Sequence, residues 1–251
     1  MRSKHFYIRR SHRYLGIVLG VQFLMWTLGG LYFSWSNMDE IHGDFQRKNS
    51  PLLSADIKLV SPSQVMDSIK AVHQVDSLVS IQLIEILGKP YYQVRCITAM
   101  QGSGMEHHDH GIMNHLADAV TGSLRPPLSK EESVKIAVAH FNEKADIKQV
   151  EYLSEVDSHH EYRESPLPAY QIEFDHPSKT RVYVSTELGT VEKFRNQKWR
   201  IFDFLWMMHT MDYEGRDNFG NLALRVFSIF GLITVLSGFL LFFVSAKWSR
   251  K

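Results

Sequence analysis

Cysteine occurs once in the 251 residues, at Cys96. An intrachain disulfide and any Cys-x-x-Cys redox or metal motif are therefore excluded, and the fold must be held by packing. Cys96 sits in the strand-like run Tyr91-Tyr92-Gln93-Val94-Arg95-Cys96-Ile97, where a thiol serves as a small buried hydrophobe. A surplus of one charge sign is also missing. Charged residues make up 22% and the net charge is +1, so no basic field points to nucleic acid. There is no Gly-x-x-x-x-Gly-Lys phosphate loop, and Gly102-Ser103-Gly104 lacks the third glycine of a dinucleotide fingerprint. No Gly-x-Ser-x-Gly nucleophile element occurs either. These absences argue against an isolated enzyme built on nucleotide, nicotinamide or flavin chemistry.

Apolar sequence is abundant at both ends. Leu15 to Phe33 and Val226 to Val244 are each 19 residues long, without Asp, Glu, Lys, Arg or His. About 20 apolar residues at 1.5 Å each cross the roughly 30 Å hydrocarbon core of a bilayer. Arg2, Lys4, Arg9, Arg10 and Arg13 precede the first run, with no acid until Asp39, and Lys247, Arg250 and Lys251 follow the second. Short basic flanks stay cytoplasmic, which predicts both termini inside and the middle exported. The first run is longer than a signal-peptide core, and Tyr32-Phe33-Ser34-Trp35-Ser36 offers no small-x-small cleavage site, so an uncleaved anchor is expected. The predicted order is a basic N-terminus (1–14), a first span (15–34) and an exported domain (35–198). An interfacial amphipathic segment (199–213), a second span (222–244) and a cytoplasmic tail (245–251) complete it. Gly16 with Gly20, and Thr234 with Gly238, have the small-x-x-x-small spacing of packed spans, so pairing of the two spans or a homodimer is expected.

The middle repeats itself. Ser61-Pro62-Ser63-Gln64 opens a helix with Val65, Ile69 and Val72 on one face, followed by strand-like runs Val79–Leu87, Tyr91–Ala99 and His115–Val120. Ser129 and Glu132 fit a capping box before a second helix through Val134, Ala137, Val138 and Phe141. Runs at Gln149–Val156, Ala169–Phe174 and Arg181–Thr186 follow, and the units end at Thr121-Gly122 and Leu188-Gly189-Thr190. Helix followed by antiparallel strands, twice over about 57–124 and 125–196, predicts an α+β domain flanked by two transmembrane helices. One unit of about 60 residues is marginal alone, which suits one domain made of two repeats.

The sequence also resembles the PepSY-associated transmembrane proteins. The residues that carry this are Ser11-His12-Arg13-Tyr14-Leu15-Gly16, the two helix-plus-strand units, Trp199-Arg200-Ile201-Phe202-Asp203-Phe204-Leu205-Trp206-Met207-Met208-His209, Asp212-Tyr213 and Arg216-Asp217-Asn218-Phe219. The resemblance covers nearly the whole chain and implies two tandem PepSY-like units on the periplasmic side of a bacterial inner membrane. Larger relatives include four-span, di-haem siderophore or ferric reductases; the soluble domain occurs in metalloprotease propeptides, where it is associated with inhibition.

Two groups of residues are candidate sites. His12 and His209 carry neutral imidazoles suited to axial ligation of haem b. They are expected at opposite membrane faces, about 28 Å apart, so bis-His ligation would need a second copy or a partner. The second group is Met105-Glu106-His107-His108-Asp109-His110-Gly111-Ile112-Met113-Asn114-His115. His107, His108, Asp109, His110 and His115 supply nitrogen and oxygen ligands for copper(II) or zinc, and Met105 and Met113 add thioethers for copper(I). His159 and His160 are expected in a solvated loop, and Asp203, Asp212, Arg216 and Asp217 in a solvated interfacial network.

The leading expectation is a membrane-anchored binding or accessory module, not an enzyme as an isolated chain. Its expected partners are the lipid bilayer and a membrane or periplasmic protein, in metal or iron uptake or envelope homeostasis. A haem-binding electron-transfer subunit is one alternative, and an inhibitor or chaperone of an exported protease is another.

Overall fold

The computed structural model describes residues 4–98 and 112–245. In chain order it has α1 (Lys4–Trp35), α2 (Met38–His42), a 3-10 turn (Asp44–Gln46), α3 (Pro62–Lys70), β1 (Val75–Ile86), β2 (Lys89–Thr98), β3 (Ile112–Asp118) and β4 (Leu124–Arg125). There follow α4 (Lys130–His140), β5 (Ile147–Leu153), β6 (Ala169–Phe174), β7 (Arg181–Ser185), β8 (Val191–Arg195), α5 (Gln197–Thr210) and α6 (Leu222–Ser245). Two compact units result: His42–Gln197, and a second made of Met1–Ile41 with Lys198–Lys251.

The 42–197 unit is α+β and its halves repeat one plan. Each has a helix followed by a four-stranded antiparallel sheet in sequential order, β1-β2-β3-β4 and β5-β6-β7-β8. Local chemistry starts both helices. Ser61 accepts from the Ser63 amide, with Pro62 in the first turn. Ser129 and Glu132 form the complete capping box. On the first sheet, Tyr92, Val94, Cys96 and Ala117 bury against Val65 and Ile69 of α3. On the second, Ile172, Phe174, Val182 and Val184 bury against Ile136, Ala137 and Phe141 of α4. The alternation that sends these residues to one face follows from the two-residue period of a strand.

The halves share one core, since Ile86 and Leu116 of the first sheet belong to the same cluster as Ile136, Phe174 and Val184. The joint needs glycine. Gly189 has φ +73°, and a Cβ there would lie 2.6 Å from Ile86 Cδ1. The opposite face of the second sheet is covered by the segment between β5 and β6, whose Tyr162 stacks on Tyr183 with ring centres 4.8 Å apart. Tyr183 donates to Gln171 Oε1 at 2.8 Å, so its buried hydroxyl is satisfied.

In the other unit α1 and α6 are long and apolar enough, over His12–Trp35 and Leu222–Phe243, to cross a membrane. His12 meets Ser237 while Phe23 meets Gly231, so the two helices pack antiparallel. Both leave large apolar side chains exposed: Ile17, Val18 and Val21 on α1, and Leu232, Phe239 and Phe242 on α6. α5 lies along the second half of α1, Tyr32 donating to the Lys198 carbonyl and Gln22 to the Met208 carbonyl.

Candidate functional site

The expected ligands fall in separate places. Met105, His107, His108, Asp109 and His110 lie outside the described residues. Met113 and His115 are on β3, one pleat apart on the same face, because strand positions two apart share a side. The register pairs Cys96 with Met113 and Val94 with His115, so β2 and β3 form the two legs of a hairpin closed by residues 99–111. Met113 packs into the core under α3, and Cys96 there is fully buried, its thiol pushed up by burial.

His73 joins His115. It sits in the turn after α3, its amide donating to the Ile69 carbonyl at 2.8 Å. The two imidazole rings have centres 4.9 Å apart and are inclined by 34°. Nε2 of His115 is buried without a hydrogen-bond partner. Burial, and secondarily the neighbouring His73, holds the His115 imidazole below its usual pKa. The ring is therefore neutral at neutral pH, the form that binds metal. Among the described residues no group of three or more His, Cys, Asp or Glu converges on one point. Sequence reading missed His73 because 42 residues separate it from His115; only the β2–β3 register and the end of α3 bring them together.

His12 and His209 occupy different environments in the helical unit. His12 Nδ1 is 2.7 Å from Ser237 Oγ, an interhelical hydrogen bond between α1 and α6. His209 ends α5 inside an aromatic box: its ring centre is 6.0 Å from Trp26, 5.9 Å from Phe33 and 6.3 Å from Trp206. Trp26 donates to the His209 carbonyl at 2.9 Å, and His209 Nδ1 is buried without a partner. Fourteen residues of α1 separate His12 from Trp26, about 21 Å along the axis. The two histidines do not share a site.

Of the acidic and basic groups in α5 and the residues after it, Asp217 is exposed as a solvated network requires, and two of the others are not. Asp203 and Asp212 are buried, and Asp203 is ion-paired with Arg216. Asp212 accepts from the Asn218 amide at 2.9 Å and the Gly215 amide at 3.2 Å, and these backbone donors, Asn218 first, hold its carboxyl below the usual range. Asn221 then caps α6 by accepting from the Leu224 amide. In the residues 211–221 that join α5 to α6, the buried Asp212 carboxylate is thus satisfied by backbone amides, as burial requires. His160, expected in solvent, is half-buried and packs edge-on against Tyr183 at 6.1 Å.

Searches of protein-family models, curated proteins and solved structures found no match to this chain.

Proposed function

We propose that the chain is a two-pass membrane protein carrying a PepSY-like binding module outside the bilayer, and that the module handles a transition-metal ion. The observation that supports this most is the repeated helix-plus-four-stranded-sheet plan held between two helices with exposed apolar faces. In this reading α1 and α6 are inserted in a bacterial inner membrane, both basic termini are cytoplasmic, and residues 42–197 stand in the periplasm. Met113 and His115 on β3 offer thioether and imidazole groups of the kind a transition-metal ion takes, within a sequence run rich in further histidines. The module works by binding, and passes its ion to a membrane or periplasmic partner.

Two measurements test this. Alkaline phosphatase fused after residue 50 or 195 is expected to be active in intact cells, and fused after residue 4 to be inactive. The purified chain, freed of any polyhistidine tag, is expected to bind copper or zinc at a fixed stoichiometry. Inactive fusions at both middle positions would refute the topology, and absence of bound metal would refute the metal reading.

A second reading, haem binding, is favoured by His209, whose unpartnered nitrogen faces an aromatic box. One axial ligand fits this environment. His12 is committed to Ser237, so the opposing ligand comes from a second copy or a partner. A Soret band lost in His209→Ala is the expected signature, and a haem-free preparation from haem-replete cells overturns this second reading.

A further inference from the structure

We propose that His73 and His115 form a metal site of their own, a two-imidazole seat for a divalent first-row ion such as Cu²⁺ or Zn²⁺. This rests on the metal-handling reading but moves the primary ligands from the His-rich connection to the body of the first sheet. Two observations converge. With metal–nitrogen bonds of about 2.0–2.1 Å, two imidazoles on one tetrahedral ion place their ring centres about 5 Å apart. The observed separation is 4.9 Å. A buried ring nitrogen normally finds a hydrogen-bond partner, and His115 Nε2 has none, which an ion would supply.

The two rings are held by different elements. His115 is fixed by its pairing with Val94 on β2, and His73 by the turn that ends α3. Rigid supports on both sides make the seat preorganised, so little entropy is lost when the ion binds. Two protein nitrogens leave the remaining coordination positions to water or to an incoming ligand. An open site of this kind exchanges its ion, which suits transfer better than storage.

The test uses the full chain in mild detergent, without a tag, titrated with Cu²⁺ and read by electron paramagnetic resonance. The wild type is expected to show hyperfine coupling to two imidazole nitrogens, and His73→Phe and His115→Phe to one each. Changing outer-shell partners alone costs about 10- to 100-fold in metal affinity, so loss of a ligand is expected to cost at least about tenfold. A variant with His107, His108 and His110 all changed to Ala is expected to keep the two-nitrogen signal. Protection of the buried Cys96 thiol from labelling shows that each variant is folded. Unchanged spectra and affinity in folded His73→Phe and His115→Phe overturn the proposal while leaving metal handling intact. No bound Cu²⁺ in the wild type overturns both.

Discussion

Two turns with the same backbone conformation but different neighbours isolate how much the shared core contributes. Gly122 closes the first repeat at φ +78° and Gly189 the second at φ +73°. A non-glycine residue in this left-handed region costs about 1–2 kcal/mol at either position. At Gly122 the nearest atom to an added Cβ is the exposed Gln64 amide at 3.4 Å, which can swing away. At Gly189 the added Cβ meets Ile86 Cδ1 at 2.6 Å and Leu116 Cδ1 at 3.1 Å. Those side chains are 3% and 2% exposed, with no room to retreat, so overpacking adds about 1–3 kcal/mol. Cys96 supplies the assay, because it is the single cysteine and its thiol reacts only when the unit opens. Labelling of the full chain under native conditions follows the population of the open state. Gly189→Ala should label faster than Gly122→Ala by the extra 1–3 kcal/mol, about 5- to 150-fold. Cys96 lies in the first sheet and Gly189 in the second half, so the effect reaches the thiol only through the common core. Equal acceleration, or a larger effect of Gly122→Ala, would show that the sheets open independently and would refute the argument.

Asp203→Ala removes one member of the buried pair with Arg216 and is expected to destabilise the helical unit by about 3–5 kcal/mol. All five tryptophans belong to that unit, so their fluorescence during urea unfolding reads it selectively, and an unchanged midpoint would show the pair to be dispensable. In the 42–197 unit, Glu173 accepts from Lys148 at 2.6 Å and from Arg181 at 2.8 Å, and these bonds hold its carboxyl below the usual 4.5. Its stabilisation is therefore present above about pH 4.5 and is lost as pH falls through the lower folded value. Glu173→Gln should cost about 1.5–3 kcal/mol at pH 7 and progressively less in acid. A cost independent of pH between 7 and 2 would sink this assignment.

The sequence was legible wherever a local rule and the tertiary structure agreed. The Ser129–Glu132 capping box, the limits Ala169–Phe174 and the burial of Cys96 follow from chemistry within a few residues of each position. β8 was not legible, because Glu192, Lys193 and Arg195 break the apolar alternation and only Val191 and Phe194 reach the core. β4 is two residues long, too short to carry a period. Val120 reads as the end of a strand, but Asp118 accepts from the Val120 and Thr121 amides and turns the chain there. The candidate site shows the same limit more sharply. His115 stands out in a histidine-rich run, whereas His73 is isolated in sequence and gains meaning only from the β2–β3 register. The burial of Asp203 likewise depends on Arg216, thirteen residues away across a turn that no short motif announces.

A half-buried polar cluster in the 42–197 unit has the composition of a hydrolytic triad, and its geometry explains why it is structural instead. His176 Nε2 lies 2.5 Å from Glu143, and His176 Nδ1 lies 2.6 Å from Ser178 Oγ. A nucleophile must keep its oxygen open to a substrate. Ser178 Oγ instead also receives the Gln46 amide at 3.0 Å and lies 2.7 Å from Thr180 Oγ1, so its hydrogen-bonding capacity is spent within the protein. Gln46, 1% exposed, further donates to Glu143 and accepts from Thr180. Where the chain leaves the unit, the Gln197 amide donates to the Ser178 carbonyl at 2.8 Å. A Cβ on Gly43 would lie 3.4 Å from Asn196 Nδ2, so the two ends of the unit are neighbours. The cluster therefore fastens both ends of the unit to one turn, residues 175–180. Adjacent chain ends are common in compact domains.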